Sequence, residues 1–246
     1  MELKFRFQLT WLNFVILLNF IVFILAVLLQ FLSTDNGASG KTLTQVFVIL
    51  GGMSLSSVLN GQVWTIITAN FLHIEFFHFA LNMLALFSLG NKVYGIYGGK
   101  KFLSTYILGG IGAMFFTLLV SIFLGTDIAT LGASGSIFAL CGVLISGSLK
   151  NRRYGLDLPI GLSDVLPIVI VSLVYGFLPG SGVNNWAHIG GLVTGLILGF
   201  VFKHEMGEHK SNLDLIIERV LYYFSTSVFT LSYVLLIITS ITLILG

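Results

Sequence analysis

Long apolar runs alternate with short polar joints along this chain. Seven runs approach the length of a membrane crossing, at 11–32, 75–95, 102–124, 134–149, 163–179, 186–203 and 220–245. A helix needs about 20 mainly apolar residues to cross the hydrocarbon core of a bilayer. Backbone polar groups in lipid must be satisfied within the segment, so the runs predict helices and an all-α polytopic membrane protein. The basic residues then give a direction. Lys4 and Arg6 precede the first run, Lys92, Lys100 and Lys101 separate the second from the third, and Lys150, Arg152 and Arg153 separate the fourth from the fifth. Lys203, Lys210 and Arg219 lie between the sixth and seventh, and Lys41 alone falls on the other side. With the N-terminus inside, 11 of the 12 Lys and Arg residues are cytoplasmic, as the positive-inside rule requires. That agreement supports both the direction and the number of runs.

Two stretches break the pattern. The outer connection from 33 to 74 carries apolar pieces, Val46-Phe47-Val48-Ile49-Leu50 and Trp64-Thr65-Ile66-Ile67, interrupted by Gly51, Gly52 and Gly61. Neither piece can span, so we expect a partly embedded loop whose backbone is paired internally or lines a wet cavity. The fourth run is short, bounded by Thr130-Leu131-Gly132 and Lys150. A helix of that length covers roughly 24 Å, less than a bilayer core of about 30 Å. With Lys150 anchored at the cytoplasmic surface, its other end, Ser134, is sunk below the outer surface.

Composition narrows the class further. The chain has 246 residues, 56% hydrophobic and 9% charged, with a mean hydropathy of +1.00. Soluble domains carry about 25% charged residues. A net charge of +2 and the lack of a long basic cluster give no reason to expect nucleic acid as a partner; the lipid bilayer is the expected surroundings. The single cysteine, Cys141, excludes an internal disulfide framework and reads as packing. The first run is longer than the roughly 7–15 apolar residues of a signal peptide, so it reads as a retained span. No targeting extension precedes it, and a bacterial plasma membrane is the expected location.

The polar residues inside this apolar pattern share one depth. His73, Glu75, His78 and Asn82 stand at the start of the second run, Ser134 at the start of the fourth and His188 just inside the sixth. All three runs point from outside to inside, so topology alone brings these residues to the same level. Ionisable residues within spans are rare and usually functional. In the fourth run Gly135, Ala139, Gly142 and Ser146 form a small-residue stripe, and His188, Gly191, Gly195 and Gly199 form a similar one in the sixth. Such stripes let two helix backbones approach closely. If they face each other, His188 comes beside Ser134, with Phe138 one turn below the serine and placed to pack on the imidazole.

A serine hydroxyl needs an adjacent base to act as a nucleophile. His188 can take its proton and return it to a leaving amine. Asn82, His78 and the Ser134 backbone N–H are candidate donors to a developing oxyanion. Asp35, Glu75 and Asp127 lie in loops or at a helix edge, so a Ser-His dyad is expected rather than a triad. Each residue also has a structural alternative. Ser134 and Asn82 are residue types that line helix contacts, and His188 and His78 can be satisfied core residues. His73 reads more readily as a structural loop residue, and His204 and His209 as solvated members of a charged tail.

Gly132-Ala133-Ser134-Gly135, Ala187-His188 followed by Gly190-Gly191 and Gly195, and His78 with Asn82 resemble the motifs of the rhomboid intramembrane serine proteases. Phe71-Leu72-His73 is also similar to that family. The resemblance covers roughly residues 60–200 and includes the helix order. It implies a six-helix core over 1–203 with a Ser134–His188 dyad in a water-filled cavity open to the outside. It implies an oxyanion site of His78, Asn82 and the Ser134 amide, with Gly132, Gly135 and Phe138 in support. Substrates would be single-pass membrane proteins, cut in or near their transmembrane segments without a cofactor or metal. The charged linker and seventh helix, 204–246, lie outside that minimal core. Two charged positions of the family are replaced here: Thr65 follows Trp64 where many members have Arg, and Tyr94 stands where many have Glu. Both changes bear on loop anchoring rather than on the dyad.

Two further classes compete with the enzyme. A non-catalytic binder or chaperone of membrane helices would use the same cavity, but it has no physical need for Ser134, His188, Asn82 and His78 together. A transporter lacks its usual mark, since no acidic residue falls at the middle of a run.

Overall fold

The computed structural model describes residues 10–34, 47, 49–155, 159–205 and 210–245. Lys4, Arg6, Asp35, Lys41 and His209 lie outside the described residues. Among the described residues eight α-helices follow in order: α1 (Trp11–Thr34), α2 (Leu55–Leu59), α3 (Thr65–Thr68), α4 (Phe76–Leu124), α5 (Ser134–Tyr154), α6 (Leu166–Gly176), α7 (Asn185–Val201) and α8 (Asn212–Leu245). Short 3₁₀ turns occupy Ala69–Phe71 and Leu162–Asp164.

The second and third apolar runs meet in α4, whose 49 residues are broken at Gly98. Gly98 has φ 80° and ψ 168°, backbone that an L side chain rarely adopts. The chain doubles back there. Tyr94 of the first arm lies 6.2 Å from the Phe102 ring of the second, and a methyl on Gly90 would sit 3.2 Å from Phe102. Tyr94 thus closes the hairpin by ring packing.

Helices fall on all seven apolar runs, with three changes of boundary. The fourth run was expected to be short but continues through Lys150 to Tyr154, 21 residues or about 31 Å, so helix length gives no reason to place Ser134 below the outer surface. The fifth run forms a helix of only 11 residues, about 16 Å long. Asp164 precedes it, and the Asp164 carboxylate accepts from the Gly161 N–H at 2.9 Å, holding a separate turn. The helix of the seventh run, α8, begins at Asn212, well before the apolar run. Ser211 and Asp214 explain this as a reciprocal cap: the Asp214 carboxylate accepts from the Ser211 N–H at 2.8 Å, and Ser211 Oγ accepts from the Asp214 N–H at 3.2 Å.

The centre of the bundle is the pairing of α5 with α7. A methyl on Gly191 would run into the Gly135 carbonyl, and one on Gly195 into that of Ala139. Likewise Gly142 abuts the Leu192 carbonyl, and Gly199 rests on Ser146. The two stripes therefore face each other at backbone contact, as the spacing anticipated. The second arm of α4 closes the third side, with Gly109 against Ala139 and Gly110 against Asn70 and Ser136. Ser146 Oγ donates to the Leu196 carbonyl at 2.9 Å, so this polar side chain is paired across the interface.

From residue 49 onward the connection into α4 is embedded, as its apolar character suggests. Met53, Ala69, Phe71 and Leu72 are fully buried in it. Met53 and Thr130 exchange both backbone hydrogen bonds, at 3.1 and 2.7 Å. The Asp127 carboxylate accepts from the Ser56 N–H at 3.1 Å, and hydrogen bonding to Ser56 holds that carboxyl below its ordinary range. Thr65 is buried and donates to the Gln62 carbonyl at 2.7 Å.

Helix α8 leans on this connection and on α1. Phe229 and Tyr233 pack on Phe71 at 5.5 and 5.7 Å, and Tyr222 meets Trp11 at 6.1 Å. Ser240 Oγ donates to the Ile49 carbonyl at 2.8 Å. At the opposite end, buried Lys101 pairs with Glu205 at 2.7 Å and with Glu218 of α8 at 3.0 Å, and Lys210 joins Glu205 at 2.6 Å. Burial works to raise the Glu205 carboxyl, but the Lys101 and Lys210 ammonium groups outweigh it and hold it low. His204 was expected to be solvated and is instead buried, 5.0 Å from the Tyr97 ring. The reason is a contact distant in sequence: the Glu205 N–H donates to the Ile96 carbonyl at 2.9 Å and folds this segment back under α4.

Large apolar side chains cover the outside of the bundle. Phe77, Leu84, Phe123, Val171 and Ile197 are all more than half exposed. Among the described residues, three helices are long and apolar enough to cross a membrane: Trp11–Phe31, Phe76–Leu124 and Asn212–Thr242. An apolar exterior around buried polar groups is the organisation of an integral membrane protein.

Replacing Gly195 by valine should destabilise the protein by about 3 kcal/mol, since the Ala139 backbone cannot yield; thermal unfolding in detergent measures it. Glu205→Gln should also lower stability. Because the folded Glu205 pKa is depressed, its contribution is complete above the unfolded value of about 4.5 and disappears as pH falls through the folded one. Melting curves of parent and Glu205→Gln should therefore converge on acidification from neutral pH.

Candidate active site

The residues singled out in the sequence meet at one end of the bundle, where α4, α5 and α7 all begin. Ser134 is the first residue of α5. The first helical hydrogen bond runs from the Ile137 N–H to the Ala133 carbonyl at 3.0 Å, so the amides of the preceding turn, including that of Ser134, have no partner within the helix. They stand at the positive end of the helix dipole.

The segment entering α5 is held on both sides. The Gly132 N–H donates to the Ala69 carbonyl at 2.9 Å. Gly132 has φ +113°, and a methyl there would lie 2.7 Å from His78 Cε1 and 2.9 Å from His78 Nε2. Only glycine supplies this backbone and also leaves room for the His78 ring. The same absent methyl would be 3.9 Å from Asn82 Nδ2, so Gly132, His78 and Asn82 share one wall.

His188 lies one turn into α7 and is buried. Its ring stacks on Phe138 with centroids 4.1 Å apart and planes 8° from parallel. Phe138 follows Ser134 by one helical turn, so the stack sets the imidazole beside the α5 face that carries the serine. Gly135 lies against the Ala187 carbonyl at 3.5 Å from its would-be methyl, which fixes the height of His188 relative to Ser134. His188 Nδ1 is buried without a hydrogen-bond partner among the described residues. No carboxylate among the described residues is hydrogen-bonded to that nitrogen. Ser134 is half-buried and is not hydrogen-bonded to His188 in this structure. Catalytic hydrogen bonds are often long before substrate arrives.

Two residues were undervalued by sequence reasoning. Asn184 caps α7: its Oδ1 accepts from the Trp186 and Ala187 N–H groups at 3.0 and 3.3 Å. Its Nδ2 donates to Thr117 Oγ1 at 3.0 Å and to Thr130 Oγ1 at 2.9 Å. One side chain thus ties the start of α7 to α4 and to the loop that leads into α5. An asparagine just before an apolar run was the available signal. His73 is the other. It is completely buried, and its Nε2 lies 3.2 Å from Asn82 Nδ2 and 3.3 Å from the Ala133 backbone N. Its ring meets His78 edge-on at 5.1 Å.

Behind the site a second polar chain crosses the bundle. Asn19 donates to Tyr106 Oη at 3.2 Å, Tyr106 donates to the Asn70 carbonyl at 3.1 Å, and Ser136 Oγ donates to Asn70 Oδ1 at 3.4 Å. Cys141 is buried and free, as packing requires.

A helical membrane bundle with a polar cluster at the start of its central helix defines the class. The rhomboid domain model matches residues 60–205. Rhomboid protease GluP of Bacillus subtilis (strain 168) is 37% identical over 171 residues, covering 70% of this chain and 32% of that protein. RHOMBOID-like protein 4 of Arabidopsis thaliana is 34% identical over 153 residues, 62% of this chain and 37% of the relative. RHOMBOID-like protein 1 of the same organism is 34% identical over 167 residues, 68% of this chain and 40% of the relative. The chain belongs to the rhomboid family. It spans about a third of the length of these curated relatives.

Proposed function

We propose that this chain is an intramembrane serine endopeptidase that cuts single-pass membrane proteins in or near their transmembrane segments. The observation that carries this is the stack of His188 on Phe138, one turn from Ser134, at the helix end where Asn82 and His78 also gather. Ser134 Oγ attacks the scissile carbonyl while His188 takes its proton. Negative charge on the former carbonyl oxygen meets the free Ser134 N–H, the Asn82 amide and the His78 ring. His188 returns the proton to the departing amine, leaving an acyl-serine. A water deprotonated by the same imidazole then releases the new carboxylate and restores the serine. The shared apolar packing of Phe138 keeps the imidazole in place in the absence of a carboxylate partner.

In this reading residues 1–203 form the catalytic core and 204–246 an appended linker and helix. The site opens toward the outer surface, with the N-terminus in the cytoplasm. The name of the B. subtilis relative, a rhomboid protease, favours the enzymatic reading.

Cleavage of a fluorescent single-pass substrate in lipid tests the assignment. Ser134→Ala and His188→Ala should each abolish cleavage with the fold intact, and Asn82→Ala should lower kcat by about 10²–10³-fold. Persistent cutting by Ser134→Ala would refute the dyad. A wild-type protein that binds transmembrane peptides but cuts none of a substrate panel would instead establish a binder of membrane helices. A helical substrate hides its carbonyls in its own hydrogen bonds, so cleavage should need small or helix-breaking residues near the cut. Replacing these by leucine should stop cleavage, as read on gels; undiminished cutting would show that unwinding is not required.

A further inference from the structure

His73 makes two contacts through one atom. A neutral imidazole has a single in-plane lone pair, on whichever nitrogen lacks hydrogen. The Ala133 backbone N–H is a donor without alternative, and it points at His73 Nε2 from 3.3 Å. Nε2 is therefore the unprotonated nitrogen, and the ring is the neutral form with hydrogen on Nδ1. The contact with Asn82 at 3.2 Å then has one solution as well. The carboxamide must present an N–H to Nε2, since its oxygen would face a lone pair. The orientation of the Asn82 amide is thus set by a backbone group of the segment that enters α5.

Two consequences follow for the site. One hydrogen of Asn82 Nδ2 is engaged by His73, which leaves the second to face the wall shared with Gly132 and His78. The Ala133 peptide, which leads directly into Ser134, is held by the same nitrogen. His73 is completely buried and packs edge-on against Phe79 at 5.6 Å.

We propose that His73 is a positioning residue for the oxyanion side of this site: Nε2, as a shared acceptor, sets the flip of the Asn82 amide and the entry of the chain into Ser134. It touches neither substrate nor the reacting atoms. The proposal rests on the serine endopeptidase reading above.

The test compares His73→Gln, His73→Asn and His73→Leu in the full chain in lipid. Glutamine places an acceptor oxygen near the Nε2 position, asparagine is too short to reach both donors, and leucine has no acceptor. Three readouts are taken: kcat and KM for a fluorescent single-pass substrate, the rate of Ser134 labelling by a fluorophosphonate, and the melting temperature. His73→Leu and His73→Asn should lower kcat and the labelling rate by about 10²-fold, the size of a lost oxyanion donor, with KM within about threefold. His73→Gln should recover to within about tenfold of the parent. In the Asn82→Ala background, His73→Asn should add little further loss. If His73→Leu does not fold, the contrast between Gln and Asn decides the matter. A folded His73→Asn with parental kcat, or Gln and Asn equally impaired at equal melting temperature, would overturn the proposal alone. A parent that neither cleaves nor labels would overturn the endopeptidase reading and this one with it.

Discussion

Backbone contact between α5 and α7 is the constraint from which the rest follows. Gly191 against the Gly135 carbonyl and Gly195 against that of Ala139 leave no room for side chains between the helices. In a bilayer, lipid tails are as apolar as the helices, so association depends on close packing and internal hydrogen bonds rather than on exclusion of water. Small residues at those positions gain contact area and lose little conformational entropy. The interface also sets a register. Gly135 opposite Ala187 and Gly191 leaves His188 at one height only, and that height is a turn from Ser134, where the Phe138 ring receives it.

The second constraint is that polar groups inside such a bundle need partners from the bundle itself. The structure meets it with a few side chains that each serve several elements. Asn184 caps α7 and binds both Thr117 and Thr130. Asn70 receives Tyr106 and Ser136 while its own amide donates to the Ile66 carbonyl at 2.9 Å. His73 receives two donors on one nitrogen. These residues span helix starts and loops, the parts of the chain that lack a regular backbone ladder. They convert an irregular connection into a fixed wall beside Ser134. The far end of the bundle uses charge instead, with Lys101 joined to Glu205 and Glu218, and this cluster attaches α8 to the core.

The loop that leads into α4 and the α4 hairpin are each held by contacts of this chain's own residues. Thr65 holds the embedded loop through the Gln62 carbonyl, and the Met53–Thr130 pairing and the Asp127–Ser56 contact pin the rest of it. Tyr94 closes the α4 hairpin against Phe102. Helix α8, outside the matched domain, adds Phe229 and Tyr233 to the packing around Phe71. The loop that carries His73 is thereby supported from the side opposite the site.

The sequence by itself determined the class and the main contacts. Apolar run length, the placement of basic residues and the matching small-residue stripes dictated an all-helical membrane bundle, because lipid permits few backbone solutions and glycine spacing directly encodes helix approach. The meeting of Ser134, His188, Asn82 and His78 was legible for the same reason: alternate helices start at one level. Tertiary structure alone decided the rest. Burial of His204, the early start of α8 and the roles of Asn184 and His73 depend on partners distant in sequence. His73 shows the reason most clearly. Nothing local distinguishes it from an ordinary loop histidine; its tautomer is settled by the Ala133 N–H, which only the folded chain brings within 3.3 Å.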